Sequence, residues 1–349
     1  MAIVNRKELA GLLAQVAPGV GAKETTLQET CFVISDGYVY AYNDEICISA
    51  KLPDSMADMD EFAIQARELI AIVNKLKDAE LDMDITGSEL VIKTKRAKAE
   101  MKIEGQIKMP INEIQFPEKW IPLPDRFSVA LKDVLPAVSR DASKKLATCV
   151  FIHDNVLEAS DVDKAARYTF DKSVFPKKKV GIFLPRLPAS SVVIKFLPEA
   201  YAADEGWIHF KNGDAILSCR LYYHGQEFVD LSPLIDAEGI VVELPEELPN
   251  ALERAGVFVA SSDGTEITHE DRYVNVRIID GWCLIYGEGG AGRYEESMKI
   301  NYDGDDIEFN TDVQTLVNAV AENQTVEICE GYVKISDDNF SYIVSFKGV

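Results

Sequence analysis

At 349 residues the chain is long enough for two or three domains with sizeable cores, and 47% hydrophobic with 27% charged residues describes a soluble globular protein. No apolar run is long enough to span a bilayer, and the start MAIVNRKEL lacks the apolar segment of a signal peptide, so a cytoplasmic protein without membrane contact is expected. The net charge of −22, taken whole, argues against nucleic acid as a partner.

In chain order, six stretches carry helical periodicity: Arg6–Val16, Ala66–Lys77, Val129–Ser139, Pro188–Leu197, Glu246–Ala255 and Asp312–Asn323. Their starts lie about sixty residues apart. Taken in pairs they give a period of about 120 residues, an ordinary domain length. After the first helix of each pair comes a turn and an apolar strand: Asp36-Gly37-Tyr38-Val39-Tyr40, Asp154-Asn155-Val156-Leu157 and Asp280-Gly281-Trp282-Cys283-Leu284. Before the second helix comes an alternating strand: Phe62-Ala63-Ile64, Ile182-Phe183-Leu184 and Ile307-Glu308-Phe309. Hairpins are predicted near Gly87-Ser88, Asn212-Gly213 and Glu330-Gly331, where tight turns need positive φ. Before the last helix, Thr311 or Asp312 supplies an N-cap.

Three elements recurring in one order predict an α+β protein of three copies of one domain, each two helices backed by antiparallel sheets. The expected domains are 1–120, 121–238 and 239–349. Pro110–Pro124, PINEIQFPEKWIPLP, holds four prolines and reads as the first linker; Ser232–Gly239 reads as the second. Counted by these thirds, the net charge is −6, then −1, then −15. The basic residues gather in the first two thirds, which can hold a positive lining within an acidic shell.

The local text resembles a known family. Leu12–Lys23 is similar to the first helix and glycine-rich basic loop of the bacterial DNA polymerase sliding clamp, the beta subunit of the replicative DNA polymerase III holoenzyme. Leu157–Phe170, LEASDVDKAARYTF, resembles that family's strand–TDG–strand stretch, with Ser160-Asp161-Val162 in the TDG place. Leu184-Pro185-Arg186 resembles its VPRK lead into the fourth helix, and Tyr342-Ile343-Val344 its YVV strand. Val162 replaces the family's glycine, the FPDY linker is reduced to Leu231-Ser232-Pro233-Leu234, and the last five residues differ from MPMRL. Such departures suit a phage or prophage version.

The resemblance implies a ring-forming DNA-clamp fold and a processivity factor. Two copies would encircle duplex DNA without reading its sequence and tether a polymerase. On helices the implied phosphate contacts are Arg6, Lys7, Arg67, Lys75, Lys77, Lys132, Arg140, Arg186 and Lys195; on loops they are Lys23, Lys144, Lys145, Lys177, Lys178 and Lys179. Polymerase and clamp-loader peptides would dock in an apolar groove at Leu146, Ser160, Val162, Ala165, Pro233, Ile343, Ser345 and Phe346. The homodimer would close by pairing a basic strand within Lys93–Lys108, bearing Lys93, Lys95, Arg96, Lys98 and Lys102, with an acidic strand. That acidic strand, Ser297–Tyr302, would be flanked by Glu288, Glu295 and Glu296.

Other chemistry finds little support. The four histidines are scattered, and none has metal-ligand spacing with a cysteine or carboxylate. The six cysteines fall in apolar strand patterns and read as reduced core thiols. Ser190-Ser191 and Ser261-Ser262 lack a nucleophile-elbow context, and Gly287–Gly292 lacks the lysine and helix of a phosphate loop, so it reads as a flexible hairpin loop. No enzyme, cofactor or metal is expected. The alternative reading is a structural or interaction repeat protein of clamp-like fold that does not encircle DNA. A hydrolase would need clustered His, Cys or acids at loop ends, and none is seen.

Overall fold

The computed structural model describes residues 2–204, 206–223, 226–259, 273–290, 292–320 and 324–346. The chain packs as two compact units, residues 1–132 with 176–225 and residues 133–175 with 226–349. Stretch 121–238 contributes to both.

In the first unit one twelve-stranded antiparallel sheet begins with Ala2–Asn5, Glu80–Thr86, Glu89–Lys93 and Lys98–Glu104. It continues through Phe62–Gln65, Cys31–Ser35, Tyr38–Tyr42 and Ile46–Lys51, then Ala215–Arg220, Trp207–Asn212, Ala200–Ala203 and Ile121–Pro122. Helix Arg6–Val16 starts where the Asn5 side chain accepts the N–H groups of Lys7 and Glu8, and buries Leu9, Leu13 and Val16. Helix Ala66–Lys75 lies beside it and buries Ala66, Leu69 and Val73.

In the second unit one sheet runs Cys149–His153, Val156–Ser160, Lys164–Thr169, Phe340–Ser345, Tyr332–Ser336, Thr325–Cys329, Ile240–Glu243. A separate four-stranded sheet runs Gly292–Lys299, Trp282–Gly289, Tyr273–Ile279, Ile307–Asp312. Helices Leu248–Val259 and Val313–Val320 pack together, and the first also covers the four-stranded sheet. The predicted hairpin turns take the expected backbone: Gly87, Gly213 and Gly331 all have positive φ, as do the Asp36-Gly37 and Asp280-Gly281 pairs.

Several boundaries differ from the sequence reading, each for a physical reason. The second helix stops at Lys75, because Leu76 is extended, so Lys77 lies beyond it. The third spans Phe127–Val134 and tightens into a 3-10 turn at Leu135–Ala137, where Pro136 cannot continue the α-helical bonding. Arg140 therefore sits on a loop. The fourth starts at Arg186, passes through a π-helical turn at Ala189–Val193 and stops at Phe196, where Leu197 turns left-handed with φ 53°. The fifth runs on to Val259. Strand Ile307–Asp312 absorbs both predicted caps, and Asp312 Oδ1 accepts the Thr315 N–H at 2.7 Å. Asn323 lies outside the described residues.

Neither predicted linker is loose. Met109, Ile111 and Ile114 are buried in a cluster with Cys31, Val33 and Tyr42, and Ile121–Pro122 joins the sheet edge. Prolines suppressed the periodicity while apolar spacing still supplied core contacts. Ser232–Ile235 forms a short helix, pinned where the Tyr332 hydroxyl donates to the Leu234 carbonyl and Lys334 Nζ to the carbonyls of Ile235 and Ala237.

Lys93–Lys108 is not one strand. Strand Glu89–Lys93 turns at 94–97 into strand Lys98–Glu104, with Lys93 opposite Lys98. The acidic strand is Gly292–Lys299, so it contains Glu295 and Glu296 and ends before Tyr302. Gly287 and Gly289 are strand residues rather than a flexible loop. A Cβ on Gly287 would stand 2.7 Å from the Ala255 carbonyl oxygen, so glycine is what lets the covering helix approach.

Candidate DNA-binding and partner-binding surfaces

The candidate phosphate contacts are set on helix starts, helix ends and loops. Lys7, Arg67 and Lys75 are exposed on helices Arg6–Val16 and Ala66–Lys75, and Lys77 just past the second. Lys23 is exposed on loop 21–29. Arg6 is half-buried, and its Nε has no hydrogen-bond partner among the described residues. Lys132, Arg140, Lys145, Lys177, Lys179 and Lys195 are exposed; Lys178 and Arg186 are half-buried. Lys178 belongs to a 3-10 turn, Lys178–Val180.

Lys144 differs from the others. Its Nζ donates to Asp161 Oδ1 at 2.8 Å, and that hydrogen bond holds its pKa above the usual lysine value. Burial opposes ionisation of Asp161, but hydrogen bonds from Lys144, the Val162 N–H and Ser139 outweigh it and hold the carboxyl low. Lys144 thus anchors the turn that carries Val162.

The candidate groove residues share the second unit but not one environment. Ala165 and Ile343 face each other across paired strands and are 3% exposed, enclosed with Leu231, Cys329 and Tyr332. These two are core, not open groove wall. The Phe346 ring stacks on Phe309 with centroids 4.1 Å apart, and its N–H donates to the Gly331 carbonyl. Ser345 donates both its N–H and its hydroxyl to the Asp163 carbonyl. Ser160 is half-buried and donates to the carbonyls of Asp161 and Lys164. Val162, at 71% exposure, and Pro233 remain open, with Leu146 half-buried.

Beneath this region lies a buried ionic network the sequence reading missed. Glu158, 0% exposed, accepts from Arg167 Nε at 2.6 Å and faces His153 Nε2 at 3.0 Å. Arg167 Nη2 also donates to Ser232 Oγ at 3.2 Å, tying the strands to the second linker. Burial opposes ionisation of Glu158, but His153 and Arg167 hold its carboxyl below the usual range. His209 is likewise buried, between Ser218 and Asp204, and burial lowers its pKa more than Asp204 raises it. The sequence offered no signal for either, since both histidines alternate normally within strands. His224 and His269 lie outside the described residues, as do Ser261 and Ser262. Ser190 and Ser191 donate to the Leu187 carbonyl within their own helix.

All six cysteines are buried and unbridged. Burial pushes the thiols of Cys31 and Cys149 up to about 11 and those of Cys47 and Cys283 to about 12, so they are unreactive at neutral pH.

Among the described residues, both candidate closing strands leave much of one side unpaired. Strand Lys98–Glu104 pairs with its hairpin partner through residues 98–102 and with Phe62–Gln65 through Ile103 and Glu104. Lys95 and Arg96 stand exposed at the turn, where Thr94 Oγ1 accepts the N–H groups of Arg96 and Ala97. Lys98 forms an ion pair with Glu100. Gly292–Lys299 is the edge strand of its sheet. Glu295 is exposed, and Glu288, also exposed, accepts from the Tyr286 hydroxyl. Glu296 turns toward the covering helix Leu248–Val259, where Arg254 grips both carboxylate oxygens at 2.8 Å. Hydrogen bonds from Tyr294 and Arg254 hold its carboxyl below the usual range. A cleft of about 910 Å³ opens on this sheet, lined mostly by polar residues, among them Asn275, Arg277, Glu288, Glu295 and Glu308.

No protein-family model matches the sequence, and the comparison with curated proteins finds no match. Solved structures do match. The DNA polymerase III subunit beta from Pseudomonas aeruginosa superposes with a TM-score of 0.80 at 16% identity, covering 99% of each chain. The beta chain from Streptococcus pneumoniae gives 0.82 at 15% identity, covering 100% of this chain and 99% of that one. The beta subunit from Thermotoga maritima gives 0.80 at 18%, with the same coverage. From end to end, therefore, this chain has the fold of the DNA polymerase III beta subunits, the sliding clamps.

Proposed function

We propose that this chain is a DNA polymerase processivity factor, a sliding clamp that encircles duplex DNA as a homodimer and performs no catalysis. The observation that carries this reading is the match over 99% of both chains to the Pseudomonas aeruginosa beta subunit. Exposed cations on helices and loops outside the acidic last third support it, because phosphate contacts need charge without base readout. In this reading the domains are 1–120, 121–238 and 239–349, and the protein works in the cytoplasm. The basic and acidic edge strands of two copies pair to close the ring. Peptides from a polymerase and a clamp loader anchor at the open part of the groove, around Val162, Pro233 and Leu146.

The experiment is retention on DNA. The protein loaded on a nicked circular duplex should stay bound through gel filtration and be released when the circle is cut. Equal retention on linear and circular DNA would rule out encirclement.

A further inference from the structure

Gln28 is 1% exposed, and its φ of 67° lies in the left-handed region. Its side-chain amide uses its full capacity of two donors and two acceptors. Nε2 donates to Glu104 Oε2 and to the Gln106 carbonyl, both at 2.9 Å. Oε1 accepts from the Lys108 N–H at 2.8 Å and the Met109 N–H at 3.1 Å. This one side chain fastens loop 21–29 to a segment that continues into the buried residues Ile111 and Ile114.

The loop is braced internally as well. The Gln28 N–H donates to Glu24 Oε1 and the Thr25 N–H to Glu29 Oε2, both at 2.8 Å. The Gly21 N–H donates to the Glu29 carbonyl at 2.8 Å. Lys23 stands exposed within this frame. A side chain presented from a fixed backbone loses less freedom on binding than one carried by a loose loop.

We propose that Gln28 is a positioning residue: its buried amide fixes loop 21–29 so that Lys23 meets a DNA phosphate in a preset geometry. The proposal rests on the clamp reading. A role confined to stability predicts loss of folded protein with no specific change in DNA contact.

The test measures retention of the full-length protein on nicked circular duplex across a salt series, with thermal unfolding alongside. Lys23→Ala should lower the slope of log retention against log salt by about 1 for each loop that touches DNA. Gln28→Leu should lower it by the same amount, and the double variant should be no worse than either single one. Because Gln28→Leu strips partners from buried groups, a milder variant is needed. Glu104→Ala removes one anchor from an exposed position. Losing a carboxylate should by itself strengthen DNA binding; loss of the anchor predicts weaker retention, restored by Glu104→Gln, which keeps an acceptor. Additive effects of Gln28→Leu and Lys23→Ala, or stronger retention by Glu104→Ala, would overturn the proposal. If Lys23→Ala changes nothing while the wild type is retained, the positioning role falls and the clamp reading stands. If the wild type is not retained on circles, both fall.

Discussion

Two hairpins of this chain each carry a strand largely unpaired on one side among the described residues and bear opposite charge, yet they hold that charge differently. In the hairpin of Glu89–Lys93 and Lys98–Glu104, Lys95 and Arg96 stand exposed at the turn, and Lys98 meets Glu100 on its own strand. In the hairpin of Trp282–Gly289 and Gly292–Lys299, Glu296 is already gripped by Arg254 and Glu288 by Tyr286, leaving Glu295 outward. Counting charges along the two strands makes them look equally available to a partner. The folded chain has committed part of the acidic set internally. The same distinction divides the groove candidates, where Ala165 and Ile343 are core and Val162 is open.

The largest effect should come from confusing these two classes. Ala165→Asp places a carboxylate among Leu231, Tyr332 and Ile343, and should cost on the order of 3 kcal/mol in denaturant unfolding. Val162→Asp, at an exposed turn, should shift stability by no more than about 0.5 kcal/mol. It should nevertheless abolish binding of a polymerase peptide in fluorescence anisotropy. Equal stability losses at the two positions would erase the distinction between core and groove.

Charge reversal at the basic hairpin comes next. If the proposed dimer closes through this hairpin, Lys95→Glu, Arg96→Glu and Lys98→Glu together should weaken it about 30- to 150-fold, read as monomer by sedimentation at nanomolar concentration, since like charges facing across an interface cost several kcal/mol. Restoring it should work better with Glu288→Lys and Glu295→Lys alone than with Glu296→Lys added. A triple variant that stays dimeric would remove this edge from the interface.

Glu296→Lys sharpens the comparison within one strand. It sets a cation against Arg254 and should lower the melting temperature, whereas Glu295→Lys should leave it nearly unchanged. Identical melting curves would mean that the Arg254 pair contributes nothing.

The smallest effect is confined to acid. The Glu158 carboxyl is held below its ordinary value of 4.5, so its stabilising contribution is complete above that pH and is lost as pH falls through the lower folded value. Glu158→Gln should flatten stability against pH below about 4.5 relative to wild type. An unchanged acid limb in urea titrations would assign acid unfolding to other carboxylates.

The repeat of helices and strands was legible because burial demands periodicity: Leu9, Leu13 and Val16 reappear as the buried face of a helix, and the Asp-Gly turns as positive-φ hairpins. The family fold followed from the order of those elements. The packing of the first linker was not legible, because prolines break periodicity without preventing Ile111 and Ile114 from entering the core. The Lys93–Lys108 stretch was misread because Thr94, which bonds the turn's N–H groups, carries no glycine or proline flag.

What the sequence determined by itself was residue type at a regular spacing, because side-chain direction in helices and strands follows from local geometry. Tertiary structure alone decided which of those residues were free to act. Gln28 finds its partners about 80 residues away, Glu296 finds Arg254 on the covering helix, and Lys144 finds Asp161 across a turn. Such pairings depend on long-range packing, and no local periodicity encodes which charge will meet which.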